Sequence, residues 1–212
     1  ITLHQRVDKI AQGAALMTGT SYDRVFIDGT AELLPNYTLE KLMHSCFEEV
    51  GVPKCTAEEL EYAAALKATY PPERDVPGIG AKFDAGIAKQ VKALSENMTK
   101  PVYDFLMPQY SGEGFRPGST DVGDVSWQTP TAQIEVAAWP AGVPGHSWQI
   151  VACGKSSMAH KAMLCAGKVI ASAAIELLEQ PALLEKAKSE FKERSASGYV
   201  CPIEPDAVPI AL

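Results

Sequence analysis

Residues 118–127 read Gly-Ser-Thr-Asp-Val-Gly-Asp-Val-Ser-Trp, and residues 142–148 read Gly-Val-Pro-Gly-His-Ser-Trp. These two stretches concentrate small residues, carboxylates, hydroxyls and a loop histidine. Such side chains are needed where the backbone approaches a ligand closely and a few polar groups converge on it. We therefore expect the functional site to lie in these stretches and the rest of the chain to act as their scaffold.

Helical and strand-like patterns alternate around these stretches. Apolar residues recur at helical spacing in several segments, the clearest being residues 39–50 and 163–177. Aromatic, β-branched or alternating apolar residues predict strands at residues 22–27, 132–138 and 148–153. Strands interleaved with helices predict an α/β domain.

Capping residues give the positions at which several helices begin. Thr56 and Glu59 have the spacing of a capping box, and Ser156 or Ser157 precedes the long apolar pattern of residues 163–177. Pro181 suits the first turn of a further helix.

Length and the first residues indicate part of a larger protein. The chain has 212 residues and begins Ile-Thr-Leu-His, already within a helical pattern and without an initiator methionine. We therefore interpret it as a fragment, either one domain or a domain with a remnant of another.

Charge and cysteine content limit the class of partner and the compartment. The formal net charge is −7, which argues against a nucleic acid or an anionic membrane surface as partner. Five scattered cysteines without a Cys-x-x-Cys pair indicate reduced thiols in a cytoplasmic protein. No apolar run approaches the roughly 20 residues that a bilayer span requires.

His146 is the strongest candidate for chemistry. It lies between Gly145 and Ser147, where neither helical nor strand periodicity explains it. A histidine on a tight glycine turn can offer a ring nitrogen to a metal ion, but a loop histidine can equally bond to its own backbone. Residue type alone leaves both interpretations open.

Asp121 and Asp124 are three residues apart and follow Ser119 and Thr120. This cluster can bind a cation, orient a metal-ligating histidine or hydrogen-bond a polar substrate. Asp and Ser beside Gly are also common in turns, so the cluster can equally have a purely structural role. His160, near the start of the long helix, is either a neutral hydrogen-bond donor or a surface side chain.

Several motifs together resemble the C-terminal half of the aminobenzoyl-glutamate hydrolase B-subunit group. They are the runs at 118–127 and 142–148, the Ala-His-Lys-Ala-Met run at 159 and the Tyr-Val-Cys-Pro-Ile run at 199. That group belongs to the co-catalytic metallopeptidases, with the aminoacylases, the plant auxin-conjugate hydrolases and the glutamate carboxypeptidases. The resemblance covers essentially the whole chain.

The resemblance implies a two-domain amidohydrolase. Residues 1–31 would be the C-terminal helix and strand of an α+β lid that usually dimerises. Residues 32–212 would be the second half of a zinc-exopeptidase-like catalytic domain, with helices packed on a mixed sheet. The implied substrate is an N-acyl or N-aroyl amino acid such as p-aminobenzoyl-glutamate, and the implied assembly is a homodimer or hetero-oligomer formed through the lid.

The resemblance also implies roles for individual residues. His146 corresponds to a ligand of the two divalent ions, zinc or manganese, in the complete enzyme. Gly118, Ser119, Thr120 and Asp121 correspond to a loop beside the substrate, with Asp124 close by in the same run, whereas His160 matches no ligand.

The other ligands and the general-base glutamate of that family would lie outside this sequence, so we expect the chain alone to be inactive. The alternative is a non-catalytic interaction module or a partner subunit.

Overall fold

The computed structural model describes residues 2–71, 85–111, 118 and 120–208, and within them the regular structure is entirely helical. The helices are α1 (Thr2–Thr18), α2 (Tyr37–Val50), α3 (Ala57–Lys67), α4 (Ala85–Glu96), α5 (Val122–Ser126), α6 (Trp148–Cys153), α7 (Ser157–Glu179) and α8 (Pro181–Arg194). No described helix is both long enough and apolar enough to cross a bilayer.

The chain divides into two compact units. One joins the N-terminal segment up to Ala31 to the C-terminal segment that starts at Val200, and the other runs from Glu32 to Tyr199. The assignment of residues 1–31 to a lid and of residues 32–212 to a catalytic domain stays a prediction.

Polar contacts connect the parts of the first unit. The Tyr22 hydroxyl donates to Asp8 Oδ1 at 2.6 Å, and Arg24 Nη2 donates to Glu204 Oε1 at 3.0 Å. A Cβ at Gly29 would lie 2.9 Å from the carbonyl oxygen of Pro202, so this close approach requires glycine. The apolar stripe of α1, including Leu3 and Ile10, is exposed.

The second unit is organised around α7, which packs against α2 and α8. Leu42, Cys46 and Phe47 of α2 form one core cluster with Cys165 and Val169 of α7. A second cluster joins α3, α6 and the first turn of α7, and it comprises Ala63, Leu66, Val102, Cys153 and Met158. The two halves of α7 therefore belong to different parts of the core.

The N-terminus of α2 is stabilised by a carboxylate from α8. Glu190 accepts hydrogen bonds from the backbone N–H groups of Tyr37 and Thr38, at 2.6 and 2.9 Å. Burial raises the pKa of Glu190, but the hydrogen bonds from the Thr38 hydroxyl and from these two backbone N–H groups together lower it below its ordinary value. Burial and the neighbouring Glu190 raise the pKa of Glu40 to about 6. The Glu190 carboxylate therefore links α8 to the first turn of α2.

The predicted α/β fold class, with helices on a mixed sheet, is wrong, because the described residues contain no strand. Residues 148–153 form helix α6 instead. A short apolar run is compatible with a buried strand or with a helical segment, and its periodicity does not distinguish them.

Residues 22–27 and 132–138 are also not strands. The alternation at 132–138 nevertheless identifies correctly which side chains face the core, since Ile134 and Val136 pack against the α2–α7 cluster. A strand requires a neighbouring strand to bond its backbone N–H and C=O groups. Alternation predicts which side chains turn inward but does not supply that neighbour.

Candidate functional site

Residues 118–127 form a turn that leads into the short helix α5. Gly118 has φ +135°, a conformation that favours glycine. The Val122 N–H donates to Thr120 Oγ1 at 3.3 Å, whereas Asp121 stands at the N-cap of α5 without a capping hydrogen bond from its side chain. Thr120 and Asp121 are exposed, so their oxygens are accessible to a ligand. Ser119, a predicted member of this loop, lies outside the described residues.

The far end of this turn is held rigidly by hydrogen bonds. The Ser126 side chain is fully buried, and its hydroxyl accepts from the Leu34 N–H at 2.8 Å and donates to the Gly123 carbonyl. Trp127 Nε1 donates to the Glu32 carbonyl at 2.9 Å. The turn is therefore fixed to the segment that precedes α2.

Asp124 has an identified partner. The Tyr199 hydroxyl donates to Asp124 Oδ1 at 2.7 Å, and the ring of Tyr199 lies beside that of Trp127, with 6.4 Å between the centroids. A carboxylate bound in this way also stabilises the turn. Asp121, one helical turn earlier, is the more accessible of the two carboxylates.

His146 lies on an exposed turn immediately before α6. Its φ is +54°, and no other non-glycine residue among the described residues has a positive φ. Such a conformation costs a non-glycine residue on the order of 1 kcal/mol and is found disproportionately at functional sites. Neither its exposure nor its backbone shows that it binds a metal, and this role stays a prediction.

The residue after His146 was not identified by the sequence analysis. The hydroxyl of Ser147 is buried and has no hydrogen-bond partner among the described residues, although Ser147 occupies the N-cap of α6. A buried hydroxyl without a partner costs about 1–3 kcal/mol. Only the three-dimensional structure shows that the Ser147 hydroxyl lacks a partner, because a serine before a helix ordinarily predicts a capping hydrogen bond.

The turn that carries His146 is attached to the end of α3. The Tyr70 hydroxyl donates to the Ala141 carbonyl at 3.0 Å, and Gln149 Nε2 donates to Thr69 Oγ1 at 3.1 Å. These contacts fix the turn to a different part of the unit from the one that holds residues 118–127. That the two stretches form a common site therefore stays a prediction.

His160 is exposed in the first turn of α7. The predicted cap of this helix is confirmed, since the Ala159 N–H donates to Ser156 Oγ at 3.2 Å. The structure gives His160 no further role.

The described residues do not by themselves form a metal centre. They contain no group of three or more His, Cys, Asp or Glu side chains arranged to hold a metal ion. His146 alone does not fit a pair of ions, which requires several protein ligands.

Glu59 has contacts that the sequence did not predict. The capping box with Thr56 is confirmed, but the buried Glu59 carboxylate also accepts from Ser157 Oγ at 2.6 Å and from Lys161 Nζ at 2.8 Å. The hydrogen bond from Lys161, followed by that from Ser157, lowers the pKa of Glu59 to about 2. Glu59 therefore joins α3 to α7 through a charged network.

Comparison with curated proteins finds a relative, the B subunit of p-aminobenzoyl-glutamate hydrolase from Escherichia coli (strain K12). The sequences are 35% identical over 214 residues, which cover 99% of this chain and 44% of the relative. The chain thus spans less than half the length of the curated relative it matches. No protein-family model matches the chain, and no solved structure matches it. The resemblance predicted from the motifs is confirmed.

Proposed function

The chain is a sequence relative of the B subunit of p-aminobenzoyl-glutamate hydrolase along almost its whole length, and on that premise we propose that it is part of a hydrolase. The substrate class is an N-acyl or N-aroyl amino acid such as p-aminobenzoyl-glutamate, and the bond cleaved is the amide. The sequence identity over 99% of the chain is the observation that carries this proposal.

In this proposal the two loop stretches contribute different groups. His146 supplies one ligand to a pair of zinc or manganese ions whose other ligands lie on further polypeptide. A metal ion bound there would lower the pKa of the water that it coordinates and would polarise the carbonyl of the substrate amide. Gly118, Ser119, Thr120 and Asp121 border the substrate, and the bonds of Ser126 hold their turn in place. The exposure of Thr120, Asp121 and His146 supports these roles.

The chain alone is inactive in this proposal. A lone imidazole does not retain a co-catalytic pair, and the described residues contain no cluster that would complete one. Hydrolysis therefore requires the segment that the E. coli relative has in addition.

A chimera tests the proposal directly. In it, this chain replaces the matching 44% of the E. coli relative. We expect the chimera, loaded with zinc or manganese and combined with the remaining subunit of the E. coli enzyme, to release p-aminobenzoate from p-aminobenzoyl-glutamate. We expect the 212-residue chain, combined with the same subunit under the same conditions, to release none. Cooperative thermal unfolding of the chimera serves as the control for folding. A folded, metal-loaded chimera without activity, or turnover by the chain alone, would contradict the proposal.

One observation also favours a second candidate function, an interaction module without catalysis of its own. Helix α7 buries one side against α2 and α8, yet large apolar side chains on its other side are exposed, with Met163 at 64%, Ile170 at 54% and Leu178 at 82%. A helix that carries large apolar side chains on two opposite faces is ordinarily covered on both of them. The proposed occupant of this face is the polypeptide that completes the hydrolase.

Ile170→Glu measures whether this face becomes covered. In the isolated chain the substitution is expected to change the free energy of unfolding by less than about 0.5 kcal/mol, because the site is exposed. In the chimera it is expected to cost about 2–3 kcal/mol, because the carboxylate would be buried. Urea unfolding gives both values. Ile170→Leu, which keeps the same position apolar, is the control and is expected to have a small effect in both proteins. An equally small effect in both proteins would show that the face stays exposed.

A further inference from the structure

A cavity of about 250 Å³ lies between the C-terminal end of α2, the connector that follows it, and the middle of α7. It is separate in sequence from the stretches that carry the proposed hydrolase site. Its apolar surface comes from Val52, Leu164 and Cys165, among others. Its charged lining residues are Lys54, Lys161 and Lys168, and no carboxylate lines it.

Three lysines around one cavity are unexpected in a chain whose formal net charge is −7. Like charges that converge without counterions repel one another, and this repulsion disfavours the folded state. The side chains of Lys54 and Lys168 form no ion pair within 4.0 Å with another described residue. No described carboxylate therefore forms a direct ion pair with either of these two ammonium groups.

Lys161 is held in position by its own contacts. Its Nζ donates to Glu59 Oε2 at 2.8 Å and to the Lys54 carbonyl at 3.2 Å. An ammonium group has three donors, so one N–H remains for a ligand. Because Glu59 neutralises one of the three lysines, the group retains a net charge of about +2.

The spacing along α7 sets the extent of the positive region. Residues 161, 165 and 168 lie on one face of the helix, since they are three and four residues apart. Seven residues rise about 10 Å, so Lys161 and Lys168 bracket the cavity along α7 while Lys54 reaches it from the connector. The volume is below that of most drug-sized sites, which favours a small ligand.

We propose that this cavity binds a small dianion, a carboxylate or phosphate compound whose charges meet the lysines and whose apolar body contacts Val52 and Leu164. The site does not depend on the proposed hydrolase activity. Lysines of high exposure bind weakly, so we expect a Kd on the order of 1 mM for a simple dianion at low salt.

Isothermal titration of the 212-residue chain tests the site with phthalate, inorganic phosphate and the neutral phthalamide as probes. At least one dianion is expected to bind, and phthalamide is not. Lys54→Ala combined with Lys168→Ala is expected to weaken binding at least tenfold. Lys186→Ala combined with Lys192→Ala, on α8, removes the same charge away from the cavity and is expected to have less than a twofold effect.

The relative affinity of the probes distinguishes the source of the anion. If phthalate binds more tightly, the natural ligand of the cavity is an organic acid with an apolar body. If inorganic phosphate binds more tightly, the ligand carries a phosphoryl group. The proposal is overturned if neither dianion binds below about 10 mM, if phthalamide binds as tightly as phthalate, or if the α8 pair weakens binding as much as the cavity pair.

Discussion

Replacing His146 by alanine in the metal-loaded chimera is expected to remove about one of the two proposed ions and to lower kcat/KM at least 100-fold. Even residues that only orient a metal ligand change affinity or activity by about 10–100-fold, so loss of a ligand itself is expected to have at least that effect. Elemental analysis of the dialysed protein measures the metal directly. Steady-state assays on the same samples measure kcat/KM.

His160→Ala provides the matched control, because His160 is also an exposed histidine of this chain. It is expected to leave metal content unchanged. If His146→Ala retained full metal occupancy, or if both substitutions lowered it equally, the assignment of His146 as a ligand would be lost.

The positive φ of His146 gives a second, metal-independent readout. Glycine adopts φ +54° without the steric cost borne by other residues, so His146→Gly in the isolated chain is expected to raise the free energy of unfolding by about 0.5 kcal/mol relative to His146→Ala. Such a gain alongside loss of metal from the chimera would indicate strain retained for function.

Glu59→Gln is expected to lower the free energy of unfolding at pH 7 by about 2–3 kcal/mol, the largest effect on stability that the described contacts predict. The substitution removes the negative charge that the Lys161 ammonium faces, so Lys161 keeps the Lys54 carbonyl but loses its anionic partner. Thermal unfolding measures the loss, at about 2–4 °C per kcal/mol for a chain of this size. Glu58→Gln, in the same first turn of α3 but exposed, is the control and is expected to have little effect.

The pH dependence distinguishes this network from ordinary packing. The hydrogen bonds lower the pKa of Glu59 from its ordinary value of 4.5 to about 2 in the folded state. Its contribution is therefore fully present above pH 4.5 and is lost as the pH falls towards 2. The difference in stability between the parent and Glu59→Gln should shrink across that interval. A difference that stayed constant between pH 7 and about pH 2.5 would show that packing, not charge, is responsible.

Helix positions were predictable because their signals are local. The capping box at Thr56 and Glu59, the cap at Ser156 and the proline at the start of α8 are all confirmed. Each depends on residues within one turn of one another, so the sequence contains the whole interaction.

The sheet was predicted wrongly because strand formation is not local. Residues 132–138 have the alternation of a strand, and Ile134 and Val136 do turn inward, but the helices α2 and α7 provide the surface they pack on. Residues 148–153 have a strand-like composition and form α6. Whether an apolar segment becomes a strand depends on a partner elsewhere in the chain.

By itself the sequence determined the family resemblance, the caps and the residues of the two loop stretches, because each is a property of residues adjacent in the chain. Only the tertiary structure decided that Glu59 pairs with Lys161 across 102 positions, that Asp124 is bound by Tyr199, and that lysines of a connector and of α7 surround one cavity. These features arise from groups distant in sequence, and their energies depend on burial and on separations that exist only after the helices pack.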